Sequence, residues 1–292
     1  MISVKIPATT TNYGPGFDCL GMALTVYNEI DITPSEGLQI MVDDPSIPTD
    51  RSNLIYQAME RAYERTEQNI PGVRIVQRNA IPLARGMGSS AACIVGGITA
   101  ANALMGNALS FEDVLQLATE MDGHPDNVLP ALVGGLCAAS MEGKTVVYNK
   151  LAPHEKYAFL LIIPDYELPT KEARKVLPAS YSRSDSVSAV GRAVLMTTSL
   201  LNGESQNLKL ASQDILHQPY RKKLMKGFDH AVERAYYLGA HGVYLSGAGS
   251  TIAAIVSGDV DFMMKQLKKD LPEGWKILLT HCDHEGVQIK QS

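Results

Sequence analysis

The chain has few of the sequence features that indicate a zinc centre, a disulfide framework or a membrane-spanning segment. Only four of its 292 residues are cysteines, and because no two of them form a CxxC pair we expect reduced thiols and no zinc site. No apolar run reaches the roughly 20 residues that a bilayer-spanning helix requires. The first residues carry no signal-peptide pattern, so a cytoplasmic protein is expected. The cysteines are Cys19, Cys93, Cys137 and Cys282.

Basic residues are also fewer than acidic ones, with 26 Lys and Arg against 31 Asp and Glu. The formal net charge is −5, which argues against a broad nucleic-acid footprint and against binding to an anionic membrane surface. Any phosphate site must therefore be built locally. Hydrophobic residues make up 45% and charged residues 20% of the chain, which is typical of a globular enzyme, and the length favours two domains.

Strand-like and helix-like stretches are clustered rather than regularly alternating, which predicts α+β layers instead of a doubly wound parallel sheet. A polar hinge at 149–156 divides the pattern, so we predict an N-terminal domain at 1–152 and a C-terminal domain at 153–292. Strands are predicted at 2–6, 23–32, 38–42, 73–77, 132–140, 145–148, 157–163, around Val243, and at 251–257, 275–279 and 286–289. Helices are predicted at 53–65, 90–105, 111–121, 170–176, 185–201, 220–226 and 228–238.

The most informative segment is residues 82–92, called the phosphate loop below. Gly86 and Gly88 lack Cβ atoms, so the backbone can approach a ligand closely, and Ser89 or Ser90 can begin the apolar helix that follows. Free amide groups and the helix dipole then attract an anion, and a serine hydroxyl is available to a phosphate oxygen or Mg²⁺. The candidate nucleotide-binding residues here are Pro82, Leu83, Ala84, Arg85, Gly86, Met87, Gly88, Ser89, Ser90, Ala91 and Ala92.

Other interpretations compete for the phosphate loop. A lysine-bearing P-loop is excluded, because no Gly-Lys-Ser or Gly-Lys-Thr follows. A dinucleotide-binding turn fits the G-x-G-x-x-[GA] pattern, but such a turn should grow from a buried strand and be followed, after one helix, by a second strand. The residues at 78–82 and the helical pattern at 111–121 contradict that context. The third alternative is a helix start whose glycines serve only a tight turn.

The phosphate loop meets every fixed position of P-x-x-x-G-[LM]-G-S-S-[AS]-[AS] and resembles the second signature of the GHMP kinases. The resemblance implies an ATP-dependent kinase of small molecules that binds ATP and Mg²⁺ without a Walker motif. It also implies a two-domain fold, with an N-terminal domain like ribosomal protein S5 domain 2, a C-terminal ferredoxin-like domain, and the site between them.

A second segment, 12–21, crowds glycines, an amide and an acid between two predicted strands. From the residues alone it is either a long polar hairpin or a ligand-binding turn. Residues 7–21 resemble the first signature of homoserine kinases, P-A-[ST]-x-x-N-x-G-x-G-F-D-x-L-G. The resemblance implies that Asn12 and Asp18 bind the amino acid, with Asp18 near its ammonium group.

A third segment, 122–128, reads D-G-H-P-D-N-V and by itself indicates a turn with a capping or surface histidine. It resembles the homoserine kinase segment E-G-x-x-H-x-D-N-V, which is often contracted to E-G-H-P-D-N-V. The resemblance implies that His124 contacts the amino acid, that Asn127 lies near the hydroxyl being phosphorylated, and that the acid before the glycine holds Mg²⁺. Asp122 replaces that glutamate, so Glu120 stays a second candidate. The candidate metal ligands are Ser89, Ser90, Asp122 and Glu120.

Two arginines in the second half could bind a carboxylate, although arginine is usually a surface residue. They lie in segments that resemble the homoserine kinase patterns [ST]-x-E-A-R-x-x-L-P and P-Y-R. The resemblance implies that Arg174 and Arg221 bind the substrate carboxylate. Thr170 is predicted to support them, and Arg183 is a weaker candidate.

Two further segments have a structural or nucleotide-binding interpretation. The glycine cluster at 245–251 reads as a tight strand-to-strand turn and resembles the third GHMP signature, S-G-x-G-[PS]-[ST], which implies an approach to the phosphate loop. Asn53 lies in a segment similar to the family's N-L-[IV] sequence, which implies a position beside adenine.

The resemblance as a whole implies transfer of the γ-phosphoryl group of ATP to the side-chain hydroxyl of L-homoserine, giving O-phospho-L-homoserine on the route to threonine. Asn127 and His124 are the catalytic candidates. The alternatives are a GHMP kinase acting on mevalonate or a sugar, a nucleotide-dependent oxidoreductase, and a non-catalytic GHMP-like sensor. No nucleic-acid or membrane partner is expected, and the family resemblance allows a homodimer.

Overall fold

The computed structural model describes residues 1–291 and contains two β-sheets with helices packed against them. The α+β class predicted from the clustered pattern is confirmed. The strands are β1 (Ile2–Asn12), β2 (Gly16–Pro34), β3 (Gln39–Val42), β4 (Val73–Asn79), β5 (Leu136–Glu142), β6 (Thr145–Leu151), β7 (Tyr157–Ile163), β8 (Gly242–Leu245), β9 (Ile252–Ser257), β10 (Lys276–Thr280) and β11 (Gln288–Gln291). The helices are α1 (Leu54–Arg65), α2 (Ser89–Leu104), α3 (Phe111–Asp122), α4 (Pro125–Val133), α5 (Thr170–Lys175), α6 (Arg183–Asn202), α7 (Ser205–Ala211), α8 (Gln218–Arg221), α9 (Phe228–Tyr237) and α10 (Asp261–Asp270).

The first sheet is organised around the long strand β2. Its strands follow the order β11-β1-β2-β4-β3, and β5 and β6 extend from the other half of β2. With 19 residues, β2 pairs with β4 through its second half and with β5 through its first. Register shifts at Pro7/Ala8 and Thr11/Asn12 interrupt the β1–β2 ladder. Because bulges bend strands and redirect side chains, the polar residues that follow Thr11 are presented at the end of a bent ribbon.

Helix α2 is buried on nearly all sides, because its residues are small and mostly apolar. It packs against the first sheet and against α1, α3 and α4. A Cβ atom on Gly97 would lie 2.4 Å from the carbonyl oxygen of Ile55 in α1, so only glycine permits this close approach. This packing fixes the position of the N-terminal end of α2, where the phosphate loop ends.

The second sheet has four antiparallel strands in the order β10-β7-β9-β8. Its two central strands are buried on both faces, which explains the apolar run in β7. Leu160 and Ile162 belong to a core that includes Phe228 of α9 and Leu267 of α10. Phe159 and Leu161 belong instead to the main core shared with the first sheet. The two sheets are therefore joined by continuous apolar packing.

The chain passes from the first sheet to the second between β6 and β7, and it returns at its end, where β11 pairs with β1. The predicted boundary between residues 152 and 153 stays a prediction. The last strand nevertheless belongs to the sheet built by the N-terminal half of the chain.

Two local expectations were wrong, and some helices were missed. Residues 132–133 were predicted to open a strand, but they end α4, and β5 begins at Leu136. The predicted helix at 220–226 is only the short α8 followed by a 3₁₀ turn, Lys222–Leu224. Helices α7 and α10 were not predicted at all. The proline-containing sequence of α4 concealed it, because proline is a helix breaker everywhere except in the first turn.

The dinucleotide-binding arrangement is also absent from the described residues. Helix α2 is followed by α3 and not by a strand, and a turn separates β4 from the glycines. Over residues 1–291, no helix is both long enough and apolar enough to cross a bilayer.

Candidate active site

A cleft of about 290 Å³ lies beside the N-terminal ends of α2 and α4. Four other segments complete its wall: the β1–β2 turn, α5, α8 and the β8–β9 turn. Besides Ser89 and Ser90 of the phosphate loop, it collects eight of the predicted side-chain ligands from positions far apart in the chain. They are Asn12, Asp18, Asp122, His124, Asn127, Thr170, Arg174 and Arg221.

The phosphate loop forms one wall of this cleft with glycines in conformations that other residues rarely adopt. Gly86 has φ of 71° and Gly88, the N-cap of α2, has φ of 69°. A Cβ on Gly86 would lie 2.2 Å from the carbonyl oxygen of Ser246, and one on Gly88 would lie 1.9 Å from Thr9 Oγ1. Both positions therefore require glycine, and the first amide groups of α2 are left facing the cleft to receive an anion.

The glycine cluster at 245–251 braces the phosphate loop, as predicted. The Ser246 hydroxyl donates to the Gly86 carbonyl at 2.6 Å, and the Thr251 amide donates to the Arg85 carbonyl at 3.1 Å. From the first sheet, the Thr9 amide donates to the Met87 carbonyl at 3.1 Å. Hydrogen bonds from both sheets thus hold the loop in its curved form.

Not every residue of the phosphate loop reaches the cleft. Pro82 and Leu83 line a neighbouring groove, and Met87 and Ala92 are buried in the core. Arg85 lines the cleft but donates to the carbonyl oxygens of Leu83, Pro164 and Asp165, so its guanidinium joins the loop to the second sheet. The loop residues that line the cleft are Ala84, Arg85, Gly86, Gly88, Ser89, Ser90 and Ala91.

Two carboxyl groups lie beside the start of α2. Burial raises the pKa of Asp122 to about 6, and interactions with Arg174 and the Ser90 hydroxyl oppose that shift. Burial, together with the charges of Asp18 and Asp122, raises the pKa of Asp126 to about 7. A cation in this part of the cleft would favour the ionised form of both carboxyl groups.

These residues fit a Mg²⁺ ion that binds through phosphate. Mg²⁺ usually takes one or two carboxylates and completes its shell with water and phosphate oxygens. Asp122 would supply the carboxylate, and Ser89 or Ser90, which also line the cleft, would supply a hydroxyl. Glu120 lies outside the cleft, where it accepts from Gln116 and Lys144. Across residues 1–291, no three His, Cys, Asp or Glu side chains form a metal-binding group.

Asn127 lies in the first turn of α4 and lines the cleft beside the phosphate loop. Its Oδ1 accepts from Thr9 Oγ1 at 2.7 Å, and its Nδ2 lies 3.3 Å from Asp126 Oδ1. Pro125 at the start of the helix favours this local fold, because proline loses no hydrogen bond there. The amide is thereby held beside Gly88, at the boundary between the nucleotide end and the remainder of the site.

The part of the cleft in which the resemblance predicts the amino acid, named the amino-acid end, is charged. Arg174 donates to both carboxylate oxygens of Asp18, at 2.9 and 3.2 Å. His124 Nε2 lies 3.2 Å from Asp18 Oδ2, and burial lowers the pKa of the imidazole. Asn12 orients this turn, since its Oδ1 accepts from the Asp18 amide at 3.1 Å and its Nδ2 donates to the Gly247 carbonyl at 2.9 Å.

Arg221 is the most deeply buried cation of the site. It is 1% exposed and donates to the carbonyl oxygens of Ala173 and Gly247. Among the residues that the structure describes, no carboxylate oxygen lies within 4.0 Å of its guanidinium. Desolvation lowers its pKa to about 10. A buried charge without an ionic partner can receive a ligand carboxylate, whereas Arg174 already has Asp18.

Two candidates from the sequence lie elsewhere. Asn53 is buried as the N-cap of α1, where its Oδ1 accepts from the Ile55 amide at 3.0 Å, and it does not line the cleft. Arg183 begins α6 on the surface and is also outside the cleft. Thr170 lines the cleft from the start of α5.

Sequence reasoning missed several residues that support the site. Thr9 positions Asn127, and it stands at the [ST] position of the first signature. Asp126 was not among the candidates, although it immediately precedes Asn127. His217 lies four residues before Arg221 and contacts it within the core. Each of them lies within four residues of a predicted ligand, and this proximity in the sequence could have identified it.

Family models agree with this architecture. The model described as "GHMP kinases N terminal domain" matches residues 53–135, and the model described as "GHMP kinases C terminal" matches residues 199–273. The first match contains the phosphate loop and the α4 segment. The second contains Arg221 and the glycine cluster of the β8–β9 turn.

Individual relatives agree over nearly the full length. The homoserine kinase of Caldicellulosiruptor bescii is 43% identical over 99% of this chain and 97% of the relative. The homoserine kinase of Clostridium botulinum, strain Alaska E43, is 42% identical over 99% and 98%. The crystal structure of homoserine kinase from Cytophaga hutchinsonii superposes with a TM-score of 0.87 at 28% identity, covering 99% of this chain and 97% of that one.

The predicted two-domain GHMP kinase fold is therefore confirmed. Kinases take the phosphoryl group from a nucleoside triphosphate, so the relationship also implies that this protein uses ATP. The oxidoreductase interpretation is set aside by the same matches. Both the family models and the full-length relatives show that the chain belongs to the homoserine kinase family of the GHMP kinases.

Proposed function

We propose that this protein transfers the γ-phosphoryl group of ATP to the side-chain hydroxyl of L-homoserine and releases ADP and O-phospho-L-homoserine. The observation that carries the proposal is the combination, in one cleft, of an amide-lined phosphate loop and the buried, ionically unpaired Arg221. The first group suits a triphosphate, and the second suits the carboxylate of an amino acid.

At the nucleotide end, the amide groups at the start of α2 would bind the phosphates of ATP. Asp122 and a hydroxyl from Ser89 or Ser90 would hold Mg²⁺ against them. The metal supplies neutralisation of phosphate charge when it is bound. The raised pKa of Asp122 supports this assignment, because a buried carboxyl without a full set of partners gains from a neighbouring cation.

At the amino-acid end, Arg221 would bind the substrate carboxylate through its fork of donors. Asp18 would face the ammonium group, since it is the carboxylate that the β1–β2 turn presents to the cleft. His124 and Arg174 both contact Asp18 and would adjust when the ligand enters. Thr170 would add a hydroxyl at the rim.

The chemistry is an in-line displacement. The hydroxyl oxygen forms a bond to the γ-phosphorus while the bond from that phosphorus to the β–γ bridging oxygen breaks, and the hydroxyl proton is released as the new bond forms. Asn127 would hydrogen-bond the attacking hydroxyl from its position between the two ends of the cleft. Positioning and charge neutralisation supply most of the rate, because a loose transition state places little demand on a strong base.

Three broader assignments rest on the same proposal. The division at residues 152 and 153 is proposed as the domain boundary, with β11 as an exchange back to the first sheet. A cytoplasmic location suits a chain whose four cysteines are all free thiols. A homodimer is carried by the family resemblance alone, and size-exclusion chromatography with light scattering tests it.

The proposed function is tested by measuring ADP release with a panel of acceptors. The panel contains L-homoserine, mevalonate, galactose and L-threonine, each assayed with and without Mg²⁺. We expect Mg²⁺-dependent ADP release with L-homoserine and much less with the others. ADP release that is the same with mevalonate would indicate a different GHMP kinase. ATP binding without turnover on any acceptor would indicate a sensor.

A further inference from the structure

A polar network behind the amino-acid end of the cleft holds Arg221 in place. His217 precedes α8 and is fully buried, with 0% exposure. Its Nδ1 lies 3.3 Å from Arg221 Nη1, and its Nε2 lies 3.0 Å from the carbonyl oxygen of Gly14. Gly14 belongs to the turn between Asn12, the last residue of β1, and the start of β2, which carries Asp18. One imidazole therefore contacts the elements that supply both ends of an amino-acid ligand's binding site.

The chemistry of these neighbours decides the protonation of His217. A guanidinium can only donate, so Nδ1 must accept and cannot carry a hydrogen. A carbonyl oxygen can only accept, so Nε2 must carry the hydrogen that points to Gly14. Burial also lowers the pKa of the imidazole. The network thus requires the neutral tautomer with its hydrogen on Nε2.

The neighbouring carboxylate, Asp214, contacts the start of α8 and the ring of His217. It accepts from the backbone amides of Leu216, His217 and Gln218, at 2.7, 2.8 and 2.5 Å. Its Oδ2 also lies 3.3 Å from His217 Nε2, the nitrogen that carries the hydrogen. Asp214 therefore fixes the start of α8 without forming an ion pair with Arg221.

Among the residues that the structure describes, the acceptors that hold the Arg221 guanidinium are therefore neutral. Arg221 donates to His217 Nδ1 and to the carbonyl oxygens of Ala173 and Gly247. Carboxylate neighbours would position the same side chain, but they would also neutralise the charge that a ligand carboxylate needs. A neutral imidazole positions Arg221 and leaves its charge available.

We infer that His217 is a positioning residue, which as the neutral Nε2–H tautomer sets the spacing between Arg221 and the turn that carries Asp18. The site then selects an α-amino acid by the separation of its carboxylate and ammonium groups. This inference rests on the proposed function and adds to it a residue that never touches the substrate. Phe17 covers the arrangement, with its ring stacked at 5.3 Å on His217 and the Arg221 guanidinium 5.2 Å from its centroid.

Two substitutions separate the two hydrogen bonds of His217. In His217→Asn the amide oxygen takes the place of Nδ1 and still accepts from Arg221. In His217→Gln the amide nitrogen takes the place of Nε2 and still donates to Gly14, but Arg221 loses its acceptor. His230→Asn is the control, because His230 is exposed in α9, contacts the Asp270 carbonyl and does not line the cleft.

We expect His217→Gln to raise KM for L-homoserine about tenfold, as for one lost hydrogen bond to a charged group. KM for ATP and kcat should change by less than about twofold. His217→Asn keeps the acceptor for Arg221 but loses the donor to Gly14, so its KM for homoserine should rise by less than that of His217→Gln. An unchanged KM for homoserine in His217→Gln would overturn the inference. Equal losses in both KM values and kcat, with a lower melting temperature, would assign a merely structural role and overturn it as well.

The tautomer is measured directly in the ligand-free protein by long-range ¹H–¹⁵N correlation of ¹⁵N-histidine, with His217→Gln to assign the resonance. Neutral Nε2–H at pH 7 supports the inference, and an imidazolium or an Nδ1–H ring overturns it. This result does not depend on any activity. If the wild type releases no ADP with homoserine, the proposed function fails, and selection of an amino acid fails with it, while the tautomer is still decided by the spectrum.

Discussion

The nucleotide end and the amino-acid end of the cleft are built from different parts of the chain. At the nucleotide end, one contiguous segment presents backbone amides, and a second glycine cluster braces it. At the amino-acid end, side chains converge from the β1–β2 turn, α4, α5 and α8, over positions from 12 to 221. The first end depends on permitted backbone curvature, and the second depends on charge placement by the tertiary fold.

This difference predicts which amino-acid substitutions each end tolerates. Backbone groups cannot be substituted, so the phosphate loop is vulnerable at positions where a Cβ atom would collide. Charged side chains can be removed one at a time, so the amino-acid end should lose affinity in steps that follow burial and pairing.

The largest effect is expected for Gly86→Ala. The added Cβ would lie 2.2 Å from the Ser246 carbonyl, at a φ of 71°, so the loop must move and ADP formation should fall at least about a hundredfold. Gly106→Ala is the matched control, because its φ is also 71° and nothing lies within 4 Å of its Cβ position. Steady-state ADP release and circular dichroism measure both variants. Normal turnover in folded Gly86→Ala would contradict the backbone account.

Arg221→Ala should act next most strongly and on homoserine alone. Losing a buried charge-assisted contact of about 3 kcal/mol raises KM for homoserine about a hundredfold. Arg174→Ala should cost less, because its side chain is 35% exposed and already paired with Asp18. The KM values for homoserine and ATP in the two variants test the ranking. An equal or larger effect at Arg174 would reverse the assignment of the main carboxylate ligand.

Asn127→Ala joins the two ends and should lower kcat about tenfold while ATP affinity changes little. The reason is its position beside Thr9 and Gly88, between the phosphate loop and the acceptor site. Single-turnover kinetics and nucleotide titration separate the two quantities. If kcat and ATP affinity are both retained, Asn127 is not part of the reacting site.

The smallest effect is expected for Asp122→Asn. It is a change in the free energy of unfolding, and its size should depend on pH. Burial raises the pKa of Asp122 from 3.8 to about 6, so the folded state binds the proton more tightly and loses stability as pH rises through that range. The shift sets an upper limit of about 3 kcal/mol, and solvent in the cleft reduces it to about 1 kcal/mol.

The measurement is thermal unfolding of Asp122→Asn and wild type at pH 4 and pH 8. The variant should be the more stable protein only at pH 8 without Mg²⁺, and Mg²⁺ with ATP should protect the wild type more strongly. Glu120→Gln is the control, since Glu120 lies outside the cleft and accepts from Gln116 and Lys144. A loss of Mg²⁺ dependence in Glu120→Gln would move the metal site to that residue.

The contrast also explains what the sequence could predict. The phosphate loop is a local pattern, so Gly86, Gly88 and the start of α2 follow from neighbouring residues. The ion pair of Asp18 with Arg174 joins residues that are far apart in the chain, and nothing local predicts its geometry. Asn53 has a side chain that could bind a ligand, but its Oδ1 accepts from backbone amides in the first turn of α1. Helix α4 was missed because Pro130 lies inside it, where proline normally argues against a helix.

The return of β11 to the first sheet has a consequence for synthesis on the ribosome. Residues Ile2–Lys5 of β1 pair with residues 288–291, the last ones that the structure describes. Until those residues emerge, the edge of β1 that they cover keeps unsatisfied backbone donors and acceptors, which nascent chains on one messenger could pair with each other. Removal of residues 288–291 therefore exposes the backbone edge of Ile2–Lys5, which lies far earlier in the sequence.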